Sequence, residues 1–196
     1  MPLNLPNRIT VGRIVCIPFF IFLILNYKSS IRAGRPQELF RWGATVVYLA
    51  AILSDALDGY LARSRGQISK LGKALDALAD KALLLSALIL LARPFGIGMG
   101  LPVWFVLLVI SRDVVLVGGA LLIHHVTGDV AVHPRLSGKA ATFFQMGVIA
   151  WILLDLSTAV FPAVFGLATI FTSVSAVQYA LDGAAQLEKS TTGVQR

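Results

Sequence analysis

Residues 55–80 have the sequence DALDGYLARSRGQISKLGKALDALAD, which places four aspartates within a largely apolar chain. Asp55 and Asp58 are three residues apart, and Asp76 and Asp80 are four apart, so the members of each pair share one face of a helix. The short polar connection between the pairs allows the two helices to form an antiparallel hairpin. This stretch therefore predicts two adjacent helices that bring four carboxylates together.

The chain around this stretch is too apolar for an ordinary soluble domain. Of its 196 residues, 57% are hydrophobic and only 14% are charged, whereas soluble domains carry about 25% charged residues. A helix that crosses a bilayer needs about 20 mostly apolar residues. Six segments fit, at about residues 11–27, 41–61, 71–91, 101–125, 140–156 and 161–181. The sequence predicts an all-α, polytopic integral membrane protein with six transmembrane helices in one domain, residues 1–196.

The arrangement of the basic residues indicates partners and orientation. Lys and Arg, which give a net charge of +7, occur in short clusters between apolar runs. This favours membrane lipids with anionic headgroups and phosphorylated substrates, and it argues against nucleic acid. We place ten basic residues, Arg13 among them, on the side of the termini and five on the other side. Because cytoplasmic segments carry the excess of Lys and Arg, we expect the termini and the active site to face the cytoplasm, in the cytoplasmic membrane.

Four carboxylates at bilayer depth require a compensating charge. On insertion scales an ionised aspartate costs at least about 2.5 kcal/mol at the centre of a membrane helix, and four together also repel each other. Divalent cations are the simplest compensation, because an all-oxygen ligand set selects hard ions. Two such ions about 3.5–4 Å apart suit phosphoryl chemistry. We therefore expect two hard divalent ions, from among Mg²⁺, Mn²⁺ and Ca²⁺, at Asp55, Asp58, Asp76 and Asp80, and we expect activity to need Mg²⁺ or Mn²⁺.

Two glycines and an arginine accompany the aspartates, and each allows two interpretations. Gly59 and Gly72 permit close approach, either by a ligand or by a neighbouring helix. Arg63 lies at the polar end of its helix, where it can pair with a phosphate or serve as an ordinary positive flank. The residues alone leave both alternatives open.

The pattern of these residues resembles the motif of the CDP-alcohol phosphatidyltransferases at every fixed position. It is Asp55-x2-Asp58-Gly59-x2-Ala62-Arg63-x8-Gly72-x3-Asp76-x3-Asp80. The resemblance implies six transmembrane helices, a two-metal site open to the cytoplasm, and CDP-diacylglycerol as a donor that releases CMP. The alternative from another class is a membrane cation transporter that uses the same aspartates. Carriers often contain internal repeats, and the sequence shows no clear one.

The family's roles assign each motif residue a function in this chain. Asp55, Asp58 and Asp76 are implied to bind the metals, while Asp80 completes the metal site and is the implied catalytic base for the acceptor hydroxyl. Contacts to the cytidine diphosphate part of the donor are implied for Gly59, Arg63, Ser69 and Gly72.

The remainder of the chain is similar to the glycerol branch of this family, which includes phosphatidylglycerophosphate synthases and cardiolipin synthases of the CDP-alcohol type. The similarity begins with Asn4-Leu5-Pro6-Asn7, Thr10, Arg13 and Pro18. Phosphatidylglycerophosphate synthases usually carry an Arg-Glu pair and a second lysine, where this chain has Arg112-Asp113 and Ala141. The expected acceptors are therefore phosphatidylglycerol, which we prefer, and glycerol 3-phosphate. Another alcohol such as inositol phosphate is the alternative.

Two basic residues outside the motif are assigned to the acceptor. Arg112 and Lys139 each place a positive charge beside an apolar segment, and we expect them to form the acceptor pocket. The alternative for Arg112 is a pair within the membrane, with Asp113 or another aspartate. The sequence leaves open whether the protein is a homodimer.

Overall fold

The structure is a computed structural model that describes residues 5–65, 70–92, 100–127 and 135–193, with side chains for 12–54, 78–92, 100–121 and 135–186. Within these ranges the chain forms six helices and no strands. They are α1 (Leu5–Arg32), α2 (Glu38–Arg65), α3 (Lys70–Leu90), α4 (Val103–Thr127), α5 (Leu136–Leu153) and α6 (Phe161–Gly193). The prediction of an all-α protein is confirmed, and each predicted apolar segment overlaps one helix.

Several helices have the length and surface of membrane spans. In the part of the chain that the structure describes, four segments are long and apolar enough to cross a bilayer, namely Gly12–Arg32, Val103–Leu121, Leu136–Leu153 and Phe161–Gln186. Large apolar side chains on them point outward, and Phe19, Leu107 and Val177 are each more than half exposed. Such a surface is suited to lipid rather than water. That α2 and α3 also cross the membrane stays a prediction.

The chain divides into two compact units. One comprises Met1–Leu101 with Ile149–Leu156, and the other Pro102–Val148 with Ser157–Arg196. The prediction of a single domain stays a prediction.

In the first unit, α1 packs against both α2 and α3. The side chains that α1 buries recur at helical spacing, and they are Arg13, Phe20, Leu23, Ile24 and Tyr27. Phe20 lies against Tyr48 of α2, with the ring centroids 5.8 Å apart. Among the described side chains of α1, the packing face is therefore apolar except at Arg13 and the Tyr27 hydroxyl.

A polar network joins α1, α2 and the segment after α5 within the same unit. Arg41 in the first turns of α2 forms ion pairs with Glu38 at 2.6 Å and with Asp155 at 3.2 Å. The Tyr27 hydroxyl donates a hydrogen bond to Glu38 Oε1 at 3.1 Å. These contacts fix the start of α2 against the end of α1.

In the second unit, α4 packs against α6, and α5 also contacts α6. The rings of Phe144 and Phe171 stack nearly parallel, with centroids 5.3 Å apart. Gln145 is fully buried and donates through Nε2 to the Thr172 hydroxyl at 2.8 Å. Aromatic stacking and one buried polar pair therefore hold α5 and α6 together.

Candidate active site

The acidic motif lies on two helices, as the sequence predicts. Asp55 and Asp58 belong to α2, and Asp76 and Asp80 belong to α3. Residues three or four positions apart lie on one helical face, so the two aspartates of each pair share a face of their helix. Most motif residues lie outside the ranges for which side chains are described, and Ser69 lies outside the described residues altogether. The motif positions outside the described side chains are Asp55, Asp58, Gly59, Ala62, Arg63, Gly72 and Asp76.

Asp80 is the motif aspartate whose side chain is described, and it contacts a residue from α1. Nη1 of Arg13 donates a hydrogen bond to Oδ1 of Asp80 and forms an ion pair with it. The Arg13 side chain is 1% exposed and the Asp80 side chain 27% exposed. The guanidinium is thus buried in the first unit, whereas the carboxylate is partly accessible.

Sequence reasoning missed this partner of Asp80. The sequence predicts that Arg13 is one of the basic residues that flank the first span, whereas in the structure it lies inside α1 and is buried. A signal was present in the spacing, because Arg13 precedes Phe20 by seven positions and Ile24 by eleven. Those intervals place it on the packing face of the helix rather than at a membrane surface.

Arg112, predicted to bind the acceptor, lies in a buried polar cluster of the second unit. Its Nη1 donates to Asp113 Oδ1 at 2.7 Å, and its Nε and Nη2 donate to the Ser175 hydroxyl at 3.1 and 3.0 Å. The guanidinium carbon lies 5.3 Å from the centre of the Tyr179 ring. The structure therefore shows the alternative interpretation of Arg112, a pair with Asp113, and a role toward the acceptor stays a prediction.

Gly138, at the start of α5, makes room for this cluster. A Cβ atom at this position would lie 2.6 Å from the Tyr179 hydroxyl oxygen and 2.9 Å from Nη2 of Arg112. Lys139, the second predicted acceptor residue, follows directly and is exposed. The two predicted acceptor residues thus differ in accessibility, one buried by its partners and the other open to the surroundings.

The available donor atoms fit a hard divalent cation. The motif supplies carboxylates, the ligands that Mg²⁺ and Mn²⁺ prefer, and the one described carboxylate of the set is partly exposed. No group of three or more His, Cys, Asp or Glu that could hold a metal occurs among the residues described, a set that excludes the side chains of Asp55, Asp58 and Asp76.

Known proteins similar to this chain are membrane-lipid enzymes. The family described as CDP-alcohol phosphatidyltransferase matches residues 3–178. The chain is 34% identical to the CDP-diacylglycerol–glycerol-3-phosphate 3-phosphatidyltransferase of Bacillus subtilis over 154 residues. This aligned region is 77% of each chain. The chain is 36% identical over 155 residues to the cardiolipin synthase (CMP-forming) of Streptomyces coelicolor, 78% of this chain and 66% of that one. A probable phosphatidylglycerophosphate synthase of Mycobacterium tuberculosis is 32% identical over 181 residues, 90% of this chain and 79% of the relative.

These matches confirm the resemblance that the motif indicated and the prediction of an enzyme of this class. Enzymes of this family generally depend on divalent metals. The family and the four apolar helices together identify an integral membrane protein. The chain belongs to the CDP-alcohol phosphatidyltransferase family.

Proposed function

We propose that this enzyme transfers the phosphatidyl group of CDP-diacylglycerol to the hydroxyl of a glycerol-type acceptor and releases CMP. The observation that carries the proposal is the position of the family motif, residues 55–80, on the two consecutive helices α2 and α3. The names of the relatives, a glycerol-3-phosphate phosphatidyltransferase and a cardiolipin synthase, support a glycerol-type acceptor. Membership of an enzyme family argues against the cation-transporter alternative.

In this reaction the acceptor's hydroxyl oxygen attacks the phosphorus atom that carries the diacylglycerol. A new phosphorus–oxygen bond forms, and the bond from that phosphorus to the bridging oxygen of the pyrophosphate breaks. CMP leaves with the bridging oxygen, and the hydroxyl proton passes to a base. Asp80 is the proposed base, and its partial exposure is compatible with access by an acceptor.

Two divalent cations, Mg²⁺ or Mn²⁺, are proposed to bind at Asp55, Asp58, Asp76 and Asp80. When bound, such ions supply positive charge that stabilises the pyrophosphate and the departing CMP. The support is an all-carboxylate ligand set on two helices. Contacts to the cytidine diphosphate part of the donor are proposed for Gly59, Arg63, Ser69 and Gly72.

Phosphatidylglycerol is the proposed acceptor, ahead of glycerol 3-phosphate. After Asp113, the helix α4 presents Val114 and Val117 outward, each more than half exposed, and such a surface suits an acceptor that enters from the bilayer. Lys139 is the proposed contact for the acceptor's phosphate, because it is exposed at the start of α5. Arg112 is the second proposed acceptor residue, and its Nη2 reaches the Gly138 carbonyl, 3.5 Å away, next to Lys139.

The termini and the active site are proposed to face the cytoplasm. The support is the excess of Lys and Arg on that side of the chain. A cysteine introduced near the C-terminus, in a background that lacks Cys16, should react with an impermeant maleimide only after the cells are opened. Labelling in intact cells would contradict this orientation.

The experiment that tests the function is release of CMP by the purified protein. It should be incubated with CDP-diacylglycerol, Mg²⁺ and one alcohol at a time, chosen from phosphatidylglycerol, glycerol 3-phosphate, inositol phosphate and serine. We expect release that depends on the acceptor and is greatest with phosphatidylglycerol. Asp58→Asn should abolish it, whereas Asp182→Asn, which removes a surface aspartate paired with Arg135, should not. No release with any of the alcohols would contradict the proposed function.

A further inference from the structure

Arg13 is a buried arginine that contacts the acidic motif from a different helix. Its side chain is 1% exposed, and its Nη1 binds Oδ1 of Asp80. A charged group is retained at such a depth only when a partner compensates the loss of hydration. The buried Arg13 guanidinium is therefore stable only while it stays in contact with the Asp80 carboxylate or another group that compensates its charge.

The register of α1 directs Arg13 toward this partner. Arg13 lies on the same helical face as Phe20 and Ile24, which are fully buried. The neighbouring residues Ile14 and Val15 are 44% and 64% exposed. Because α1 packs against both α2 and α3 through its buried face, the backbone of α1 holds the guanidinium at the acidic helix.

We propose that Arg13 is a positioning residue that holds the Asp80 carboxylate in the orientation needed for phosphatidyl transfer. The inference rests on the proposed function of Asp80 as base and metal ligand. A carboxylate on an isolated helix turn samples several rotamers, whereas one bound to a buried guanidinium is confined to one. A catalytic group must be held within about 0.5 Å of its productive position, and neighbouring side chains that fix its rotamer provide this.

Arg13 has a second effect through its charge. Four carboxylates brought to one site would repel each other, and a guanidinium bound to one of them, Asp80, would offset part of that repulsion. Lysine would supply the same charge with a different reach and without the planar fork of donors. The two contributions of Arg13, charge and geometry, can therefore be separated by substitution.

The test compares Arg13→Gln and Arg13→Lys with the wild-type enzyme by CMP release. We expect Arg13→Gln to lower kcat about 100-fold, the effect of misplacing a reacting group by about 1 Å, while KM for CDP-diacylglycerol changes little. Arg13→Lys should recover part of kcat. The matched control is Arg41→Gln, which removes a largely buried arginine with two ion pairs from the same unit. It should lower Tm and leave kcat unchanged.

A readout that does not depend on activity tests the pair itself. Arg13→Gln leaves Asp80 without its guanidinium, so Tm should fall. In an Asp80→Asn background the same substitution should lower Tm less, because the stranded charge is absent. Equal losses of Tm in both backgrounds would contradict the contact between the two residues.

Several outcomes would overturn the inference. Wild-type kcat in folded Arg13→Gln would do so, and so would a loss of kcat that Arg41→Gln shares. If Arg13→Gln does not fold, Arg13→Lys decides: reduced kcat with unchanged donor KM supports the inference, and wild-type kcat overturns it. A wild-type enzyme that releases no CMP contradicts the proposed function itself, before any variant is compared.

Discussion

Gly138 of α5 lies so close to Tyr179 of α6 that a Cβ atom on the glycine would be 2.6 Å from the tyrosine hydroxyl oxygen. The absence of a side chain at this one position allows the buried Arg112 to reach both Ser175 and the Gly138 carbonyl. The buried polar cluster around Arg112 in the second unit thus depends on the absence of a side chain at residue 138.

Replacing Gly138 with alanine should destabilise the protein by about 1–3 kcal/mol, the usual cost of overpacking. Thermal unfolding in detergent would measure this. Adding Tyr179→Phe should restore part of the loss, since it removes the nearest atom. Gly147→Ala on the same helix is the control, because no atom lies within 4 Å of a Cβ there. Equal stabilities of Gly138→Ala and Gly147→Ala would contradict the role of Gly138 in leaving space for Tyr179 and Arg112.

Arg112→Ala should be strongly destabilising. It removes the guanidinium that forms an ion pair with Asp113, which is 9% exposed, and breaking a buried ion pair costs about 3–5 kcal/mol. The double variant with Asp113→Asn should recover much of that loss. Acceptor kinetics of this double variant then test the remaining role of Arg112. A raised acceptor KM would support it, and an unchanged acceptor KM would limit Arg112 to structure.

Lys139→Ala should raise the KM for the acceptor about tenfold, the effect of one hydrogen bond to a charged group. KM for CDP-diacylglycerol should change much less, because the donor is assigned to the motif residues. Arg135→Ala is the matched control: Arg135 is also exposed, but it pairs with Asp182 at 2.5 Å. Equal effects of the two substitutions on acceptor KM would reject a specific role for Lys139.

The six helices could be predicted because the sequence contains six long, mostly apolar runs, although only four of the described segments are long and apolar enough to cross a bilayer. The ends were less predictable, since helices continue beyond their apolar parts: the first predicted segment ends at residue 27 and α1 at Arg32, and α6 extends to Gly193 rather than 181. The aspartate pairs were predictable from local spacing. The contact between Arg13 and Asp80 was not, because 67 positions separate the two residues and any of four aspartates could have been the partner.

Asp80→Asn separates the two roles proposed for Asp80. Asparagine keeps the shape and an oxygen that can accept the hydrogen bond from Arg13. Because the buried guanidinium loses this counter-charge, Tm should fall, and kcat is compared at a temperature where the variant is folded. Loss of a base should lower kcat about 10²–10⁴-fold while binding of CDP-diacylglycerol in the presence of Mg²⁺ persists. We expect this result. If the variant binds no donor at saturating Mg²⁺, Asp80 is a ligand and the assignment as base is wrong.

The aspartates of residues 55–80 are proposed to hold the divalent cations that phosphatidyl transfer needs. The most direct test is CMP release by the purified protein with CDP-diacylglycerol and phosphatidylglycerol, before and after exhaustive chelation. We predict that chelation abolishes release and that added Mg²⁺ or Mn²⁺ restores it, because the proposed ligands are all carboxylates. Full turnover in the chelated protein would contradict the claim.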